Sequence, residues 1–308
     1  MRTGSLALIL SVVCLSLLRT SQAAFEDEFA GKVAFISGGT SGIGFATAMR
    51  LASMGTKVAI IGRNEERGKA AEAAINGNAT VAEHGGRAKF YQCDVTQHIK
   101  VKSTIAAVVN DLGGLHYAVN SAGIGGFLGR FDEMPDSLLW GVNDPVMNNL
   151  YGVIHCVLEE VRYWRSHNQD AAIVNLSSYN GIRATAYGTM YGASKHGING
   201  VTQSVAIENV ENPRIRVNSV CPGLVDTPLT WNQAKWFLRG EQPWQGHYID
   251  SAQDPDWVAN RPEWVKELIG QKILSPYEEA EAIIFLLSSR ASGITGMIYP
   301  VDNGASAK

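Results

Sequence analysis

Short apolar runs alternate with amphipathic stretches along most of this chain. Lys32–Ser37, Lys57–Ile61, Ala88–Cys93, Leu115–Asn120, Ala172–Leu176, Arg216–Val220 and Met297–Val301 are brief and largely apolar, with turn residues at many of their ends. Runs of this length without alternation predict strands buried on both faces. Between them, helical periodicity marks Ile43–Met54, Glu65–Ile75, His98–Leu112, Val142–Ser166, a helix carrying Tyr191 and Lys195, and Glu278–Ser288. Strand and helix in alternation predict an α/β fold, a doubly wound parallel sheet in a three-layer αβα sandwich. One domain is expected over residues 25–308. Residues 227–275 break the rhythm and hold Trp231, Trp236, Trp244, Trp257 and Trp264 out of 7 tryptophans. That segment reads as a helical lid over a substrate pocket. Its tryptophans either meet an apolar or aromatic substrate or pack the lid down.

The turn after the first predicted strand is Ser37-Gly38-Gly39-Thr40-Ser41-Gly42-Ile43-Gly44, and a helix follows it directly. Gly38 permits a tight turn, Gly42 a close backbone approach, and Gly44 close packing of helix on strand. A helix start there offers free N–H groups and partial positive charge to a pyrophosphate. This makes the sheet Rossmann-type and predicts a dinucleotide. After the second strand comes Gly62-Arg63-Asn64, with no acid before Glu65. An acid there would bind ribose hydroxyls, whereas Arg63 can clamp a 2′-phosphate. NADP(H) is therefore favoured, with NAD(H) the alternative and a plain surface role for Arg63 a third reading.

Tyr191 and Lys195 are four apart on one helix, and Ser178 lies thirteen residues before the tyrosine. Positions i and i+4 share a helix face, so an ammonium would stand beside a phenol. A nearby cation lowers a phenol's pKa, which makes the pair a proton-transfer device. Ser178 can hold a substrate oxygen.

Composition narrows the field. The 308 residues are 45% hydrophobic and 18% charged, with a net charge of -3, so no basic field favours nucleic acid. No metal-ligand cluster is evident. Arg2, the apolar stretch Leu6–Leu18 and Ser21-Gln22-Ala23 read as a signal peptide over residues 1–23. The alternative is an uncleaved membrane anchor. Either implies the secretory pathway, in the endoplasmic reticulum lumen, secreted or membrane-anchored. Beyond Cys14, the thiols Cys93, Cys156 and Cys221 are odd in number and read as buried, without a disulfide framework. Asn78-Ala79-Thr80 is a candidate glycosylation site; Asn175-Leu176-Ser177 falls in a predicted buried strand.

Together these motifs resemble the short-chain dehydrogenases/reductases in their compact single-domain branch. The resemblance rests on the glycine spacing at Gly38, Gly42 and Gly44, then Asp94-Val95, Asn120-Ser121-Ala122-Gly123, Asn149-Leu150-Tyr151-Gly152, Ser178 with Tyr191 and Lys195, and Pro222-Gly223-Leu224-Val225-Asp226-Thr227. Ser121 is a mild departure from the usual second asparagine. The resemblance implies hydride exchange between NAD(P)(H) and an alcohol/ketone or aldehyde pair. It implies that Tyr191 is the general acid/base, that Lys195 lowers its pKa and holds the nicotinamide ribose, and that Ser178 polarises the substrate oxygen. Asn149 would complete a proton relay through water. Ser37, Gly38, Thr40, Ser41, Gly42, Ile43, Gly44, Arg63, Asn64, Asp94, Val95, Asn120, Ala122, Gly123, Pro222, Gly223, Val225 and Thr227 would line the cofactor. A homodimer or homotetramer is implied; the apolar stripe Leu150, Val153, Ile154, Val157, Leu158 and Val161 could serve core and interface together. The alternatives are a non-catalytic nucleotide sensor on the same fold, or epimerase or lyase chemistry.

Overall fold

Seven strands lie in the order β3-β2-β1-β4-β5-β6-β7 among the described residues. They are β1 (Val33–Ser37), β2 (Lys57–Gly62), β3 (Arg87–Gln92), β4 (Tyr117–Asn120), β5 (Ala171–Leu176), β6 (Ile215–Pro222) and β7 (Ile298–Val301). Every pairing is parallel. The computed structural model describes residues 25–211, 213–243 and 273–307. The leader expected at 1–23 and most of the expected lid, 244–272, lie outside the described residues.

The chain steps outward from β1 to β3, then returns to build β4 on the other side of β1. That reversal opens a crevice beyond the carboxyl ends of β1 and β4, where ligands bind in such sheets. β1, β4 and β5 are buried along their whole length, which is why they lack alternation.

Helices cover both faces: α1 (Gly42–Ser53), α2 (Glu65–Asn76), the short α3 (Ala79–Glu83), α4 (His98–Leu112), α5 (Gly152–Ser166), α6 (Thr189–Glu208), α7 (Pro228–Arg239) and α8 (Pro276–Leu287). One core holds Ile36, Leu51, Ile60, Val119, Ile283 and Leu287. The other holds Phe35, Ile61, Val108, Val157, Trp164 and Ile173. Alternate strand residues thus feed opposite cores, and each fully buried aliphatic or Phe contributes about 1.5–3 kcal/mol of burial. Ser275 and Glu278 form a capping box that starts α8 two residues before the sequence expectation.

One helix departs from its expected limits. The periodicity predicts a helix over Val142–Ser166, but regular α-helix begins only at Gly152, after a π-helical turn at Val146–Tyr151. Pro145 is the physical reason. It has no N–H to donate and its ring blocks helix on its N-terminal side. The Asp144 carboxylate caps the start, accepting from the Val146 N–H at 2.7 Å and the Trp140 N–H at 2.9 Å. The helix α3 was not anticipated; the Asn78 side chain nucleates it by accepting from the Thr80 and Val81 N–H groups.

Candidate active site

The β1–α1 turn forms one wall of a cleft of about 660 Å³. Gly38 and Gly42 have φ of 69° and 54°, a region that favours glycine. A Cβ on Gly38 would stand 2.7 Å from the Ala122 nitrogen, so β1 and β4 could not end side by side with a larger residue. Ser41 is the N-cap of α1, yet its hydroxyl caps no helix N–H, and no acid occupies the first turn. The orphan donors and helix dipole are therefore left for an anion. Uncapped donors behind a glycine turn fit the pyrophosphate of a dinucleotide, and the cleft volume suits a cofactor.

Thr40, Ser41, Ile43, Gly44, Arg63, Asn64, Val95, Ala122, Gly123, Ser178, Tyr191, Lys195, Pro222, Gly223, Val225 and Thr227 line the same cleft with Gly38 and Gly42. Ser37, Asp94, Asn120 and Asn149 are not in its lining. The Ser37 hydroxyl accepts from the Ala122 N–H at 3.3 Å, holding the β4 end from behind. The Asp94 carboxylate accepts from the Thr96 N–H and hydroxyl at 3.0 and 2.8 Å. Asn120 is fully buried and donates to Glu160 and Asn175. Asn149 accepts from the Ile124 N–H at 2.8 Å and donates to the Ile124 carbonyl at 3.0 Å and the Ser194 hydroxyl at 3.1 Å. Ser194 in turn donates to the Tyr191 carbonyl at 2.7 Å. Asn149 thus braces the floor of the cleft, tying the β4 loop to α6.

Tyr191 and Lys195 meet as their spacing predicts. The Lys195 Nζ lies 5.6 Å from the Tyr191 ring centroid and donates to the Leu176 carbonyl at 2.7 Å. Both residues are buried. Burial is the main influence on each. It pushes the Tyr191 phenol up, opposed by its hydrogen bond with Ser178. It pulls the Lys195 ammonium down to about 8. The lowering of the phenol expected from the lysine is not seen: burial dominates, and the opposing influence comes from Ser178. The Ser178 hydroxyl also accepts from the Asn180 N–H at 3.1 Å, which fixes its direction.

Among the cleft residues that the sequence did not single out are Arg67 and Asn148. Arg67 lies in the first turn of α2, and its position on the cleft depends on how α2 packs. Asn148 accepts from Arg63 Nη1 at 3.3 Å and donates to the Val142 and Asp144 carbonyls. Its neighbour Asn149 drew attention as the motif residue; only the π-helical turn brings Asn148 to the cofactor side.

On the cleft wall, Thr227 caps α7 and faces Gly42, with its methyl 3.2 Å from where a Gly42 Cβ would lie. Gln242 exchanges two hydrogen bonds with the Leu128 backbone, at 3.0 and 2.8 Å. The Trp231 indole donates to Asp226 at 2.6 Å, and the Trp236 ring packs on Tyr187 with centroids 5.5 Å apart. Trp231 and Trp236, two of the five tryptophans of the expected lid, pack within the protein; Trp244, Trp257 and Trp264 lie outside the described residues.

A profile of the short chain dehydrogenase family matches residues 32–237. The chain belongs to that family. It is 35% identical to a 3beta-hydroxysteroid dehydrogenase of Mediterraneibacter gnavus, over 90% of this chain and 95% of that protein. Among solved structures, a variant of actinorhodin polyketide ketoreductase with NADPH superposes with a TM-score of 0.75 at 27% identity, covering 90% of this chain and 98% of the other. An NAD+-bound xylitol dehydrogenase gives a TM-score of 0.73 at 28% identity, covering 90% of this chain and 100% of the other. The fold and the family make this short chain dehydrogenase an NAD(P)-dependent oxidoreductase acting on small-molecule alcohols or ketones. The three thiols Cys93, Cys156 and Cys221 are free and buried. Asn175 is fully buried, so the second sequon is inaccessible in the folded protein.

Proposed function

We propose that this enzyme interconverts a secondary alcohol and a ketone on an apolar, ring-bearing substrate, with NADP(H) as preferred cofactor and Tyr191 as proton donor or acceptor. The observation that carries the reading is the convergence of the buried Tyr191 and Lys195 with the half-buried Ser178 beside a glycine turn with uncapped helix donors. When bound, NAD(P) supplies or accepts the hydride. Ser178 holds the substrate oxygen, its own orientation fixed by the Asn180 N–H. The Tyr191 hydroxyl delivers a proton to that oxygen in reduction and takes it back in oxidation. Burial keeps the Tyr191 phenol protonated, so the protein without cofactor already carries the proton that reduction consumes, while a neighbouring cation is needed to ease its release. The Lys195 ammonium lies where it can bind a ribose hydroxyl and stabilise a phenolate. Asn149 acts by bracing Ile124 and Ser194 around this centre. Any relay of protons through it would run by way of water and its main chain, since its amide is committed.

Arg63 and Arg67 on the cleft, with no acid between Gly62 and Glu65, support the preference for NADP(H). The preference for an apolar ring substrate draws on the steroid dehydrogenase likeness. Purified enzyme with NADPH or NADH and a panel of cyclic and linear ketones tests both halves. The reading expects oxidation of NADPH with ring ketones first. Cofactor binding without turnover across the panel would favour a nucleotide sensor.

The oligomer we propose is a dimer or tetramer built on the outer face of α5. Its inner positions Val153 and Val157 are buried, while its Leu158 is 37% exposed and Tyr151, the last residue of the preceding π-helical turn, 41%. Light scattering on purified protein tests it. The leader-like Leu6–Leu18 supports targeting to the secretory pathway, which sequencing the mature N-terminus would check.

A further inference from the structure

Beneath the β4 end of the cleft lies a polar cluster that the chemistry above leaves unused. Glu160, on the inner face of α5, and Asn120, the last residue of β4, are both fully buried. Asn120 Nδ2 donates to Glu160 Oε2 at 3.1 Å and to Asn175 Oδ1 at 3.1 Å. Asn175 Nδ2 donates to Thr202 Oγ1 at 3.0 Å. The other atom of each leading group, Glu160 Oε1 and Asn120 Oδ1, is buried with no hydrogen-bond partner among the described residues.

Those two orphans belong to the same two groups that already share one bond. On a carboxylate, both orphans are acceptors and cannot satisfy one another. One proton on Oε1 changes this. It turns the carboxyl edge into a donor and an acceptor, the complement of a carboxamide edge. Two parallel bonds then form, Asn120 N–H to Oε2 and Oε1–H to Asn120 Oδ1, and neither group remains unpaired.

We propose that Glu160 is a neutral carboxylic acid paired edge to edge with Asn120, and that it is a positioning residue for the cofactor cleft. The surroundings support this. Cys156, one turn earlier on α5, is a buried thiol pushed well up by burial; it bonds Ser37, and Cys93 lies beside it after β3, so neither brings a positive charge to Glu160. From α4 the facing residues Val101, Thr104, Ile105 and Val108 carry no charge. The adjacent Glu159 turns outward to His98 and Arg162, at 2.7 and 2.6 Å. Lys195 spends its ammonium on the Leu176 carbonyl. Among the described residues no cation acts on Glu160, and burial pushes its carboxyl up to about 8.

The effect reaches the site through Asn120. The next three residues, Ser121, Ala122 and Gly123, form the cleft wall. The chain Glu160–Asn120–Asn175–Thr202 runs from α5 through two strands to α6. Thr202 lies two turns along from Lys195 on that helix. A single proton therefore holds together the two helices that flank the centre, α5 behind Asn149 and α6 with the Tyr191–Lys195 pair.

Glu160→Gln is the decisive variant, because glutamine presents an N–H and a carbonyl to the same amide edge but does not titrate. Infrared difference spectra of wild type minus Glu160→Gln at neutral pH should contain the carbonyl stretch of a protonated acid, shifted in heavy water. The folded pKa is raised above the unfolded value of 4.5, so its stabilisation is whole at low pH and is lost as pH rises to about 8. The melting temperature of Glu160→Gln should therefore gain on wild type between pH 5 and 8. The cofactor KM should stay near wild type in Glu160→Gln and rise several-fold in Glu160→Met. That arm alone rests on the proposed activity. If Glu160→Met does not fold, the spectra and the pH series decide. Absence of the protonated-acid band, or a melting difference that ignores pH, would overturn the proposal.

Discussion

Arg63 donates from Nη1 to Asn148 Oδ1 at 3.3 Å, joining the end of β2 to the turn just before Asn149. Asn148 is itself pinned, its amide giving both protons to the Val142 and Asp144 carbonyls. The guanidinium is thus aimed across the cofactor cleft by a residue that cannot rotate away. Removing the aim should weaken recognition of whatever Arg63 reads. Asn148→Ala should raise the KM for NADPH with little change for NADH, and Arg63→Ala should do so more strongly. A charge-assisted bond of this kind is worth about 1.5–3 kcal/mol, so the Arg63→Ala loss should be roughly tenfold or more. Equal losses for both cofactors in Arg63→Ala would remove the phosphate reading. A normal NADPH KM in Asn148→Ala would remove only the aiming role.

The turn geometry makes its own demand. Gly38 has φ of 69°, and its Cβ would lie 2.7 Å from the Ala122 nitrogen, a backbone atom that cannot swing aside. Gly38→Ala should lower the melting temperature and weaken binding of either cofactor alike. The strain alone costs about 1–3 kcal/mol. Isothermal titration and thermal melting measure the two effects. A variant as stable and as tightly binding as wild type would contradict the packing described.

Lys195 sets a pH limit. Burial lowers its ammonium to about 8, so the charge is present below that pH and lost as pH rises through it. The kcat/KM for cofactor, which reports groups of the free enzyme, should fall as pH passes about 8. A flat profile from about pH 7 to 9.5 would show that the ammonium is not needed for binding.

Glu279 offers a stability counterpart away from the cleft. It is fully buried near Asp302 and Glu278, and neither of its oxygens has a hydrogen-bond partner among the described residues. Burial pushes it up to about 8, from 4.5. Its contribution is whole below the lower value and lost as pH climbs to the upper one. Glu279→Gln should therefore melt near wild type at about pH 5 and increasingly above wild type as pH rises toward 8. A constant difference across that range would mean the group does not titrate there.

Much of this was legible in the chain. The seven runs became the seven strands; β1, β4, β5 and β6 are continuous because both faces are buried, while the edge strands β3 and β7 are only partly covered. Tyr191, Lys195 and Ser178 converge because local spacing on α6 and the β5 end fixes them. Residues whose roles depend on partners far along the chain were less readable. Asn120 looked like a cofactor contact, but its amide points down to Glu160, forty residues away. Asn148 reached the cleft only through a π-helical turn that periodicity does not announce. The helix expected from Val142 starts late because a single Pro145 outweighs the apolar pattern around it.

The central claim is that Tyr191 moves the proton. Tyr191→Phe keeps the ring that fills the buried site and removes only the hydroxyl, so folding and cofactor binding should persist. Single-turnover reduction of a ring ketone by bound NADPH, compared with wild type, should fall by about 10²–10⁴-fold, the usual worth of a positioned acid. Wild-type rates in Tyr191→Phe with NADPH bound would contradict the account.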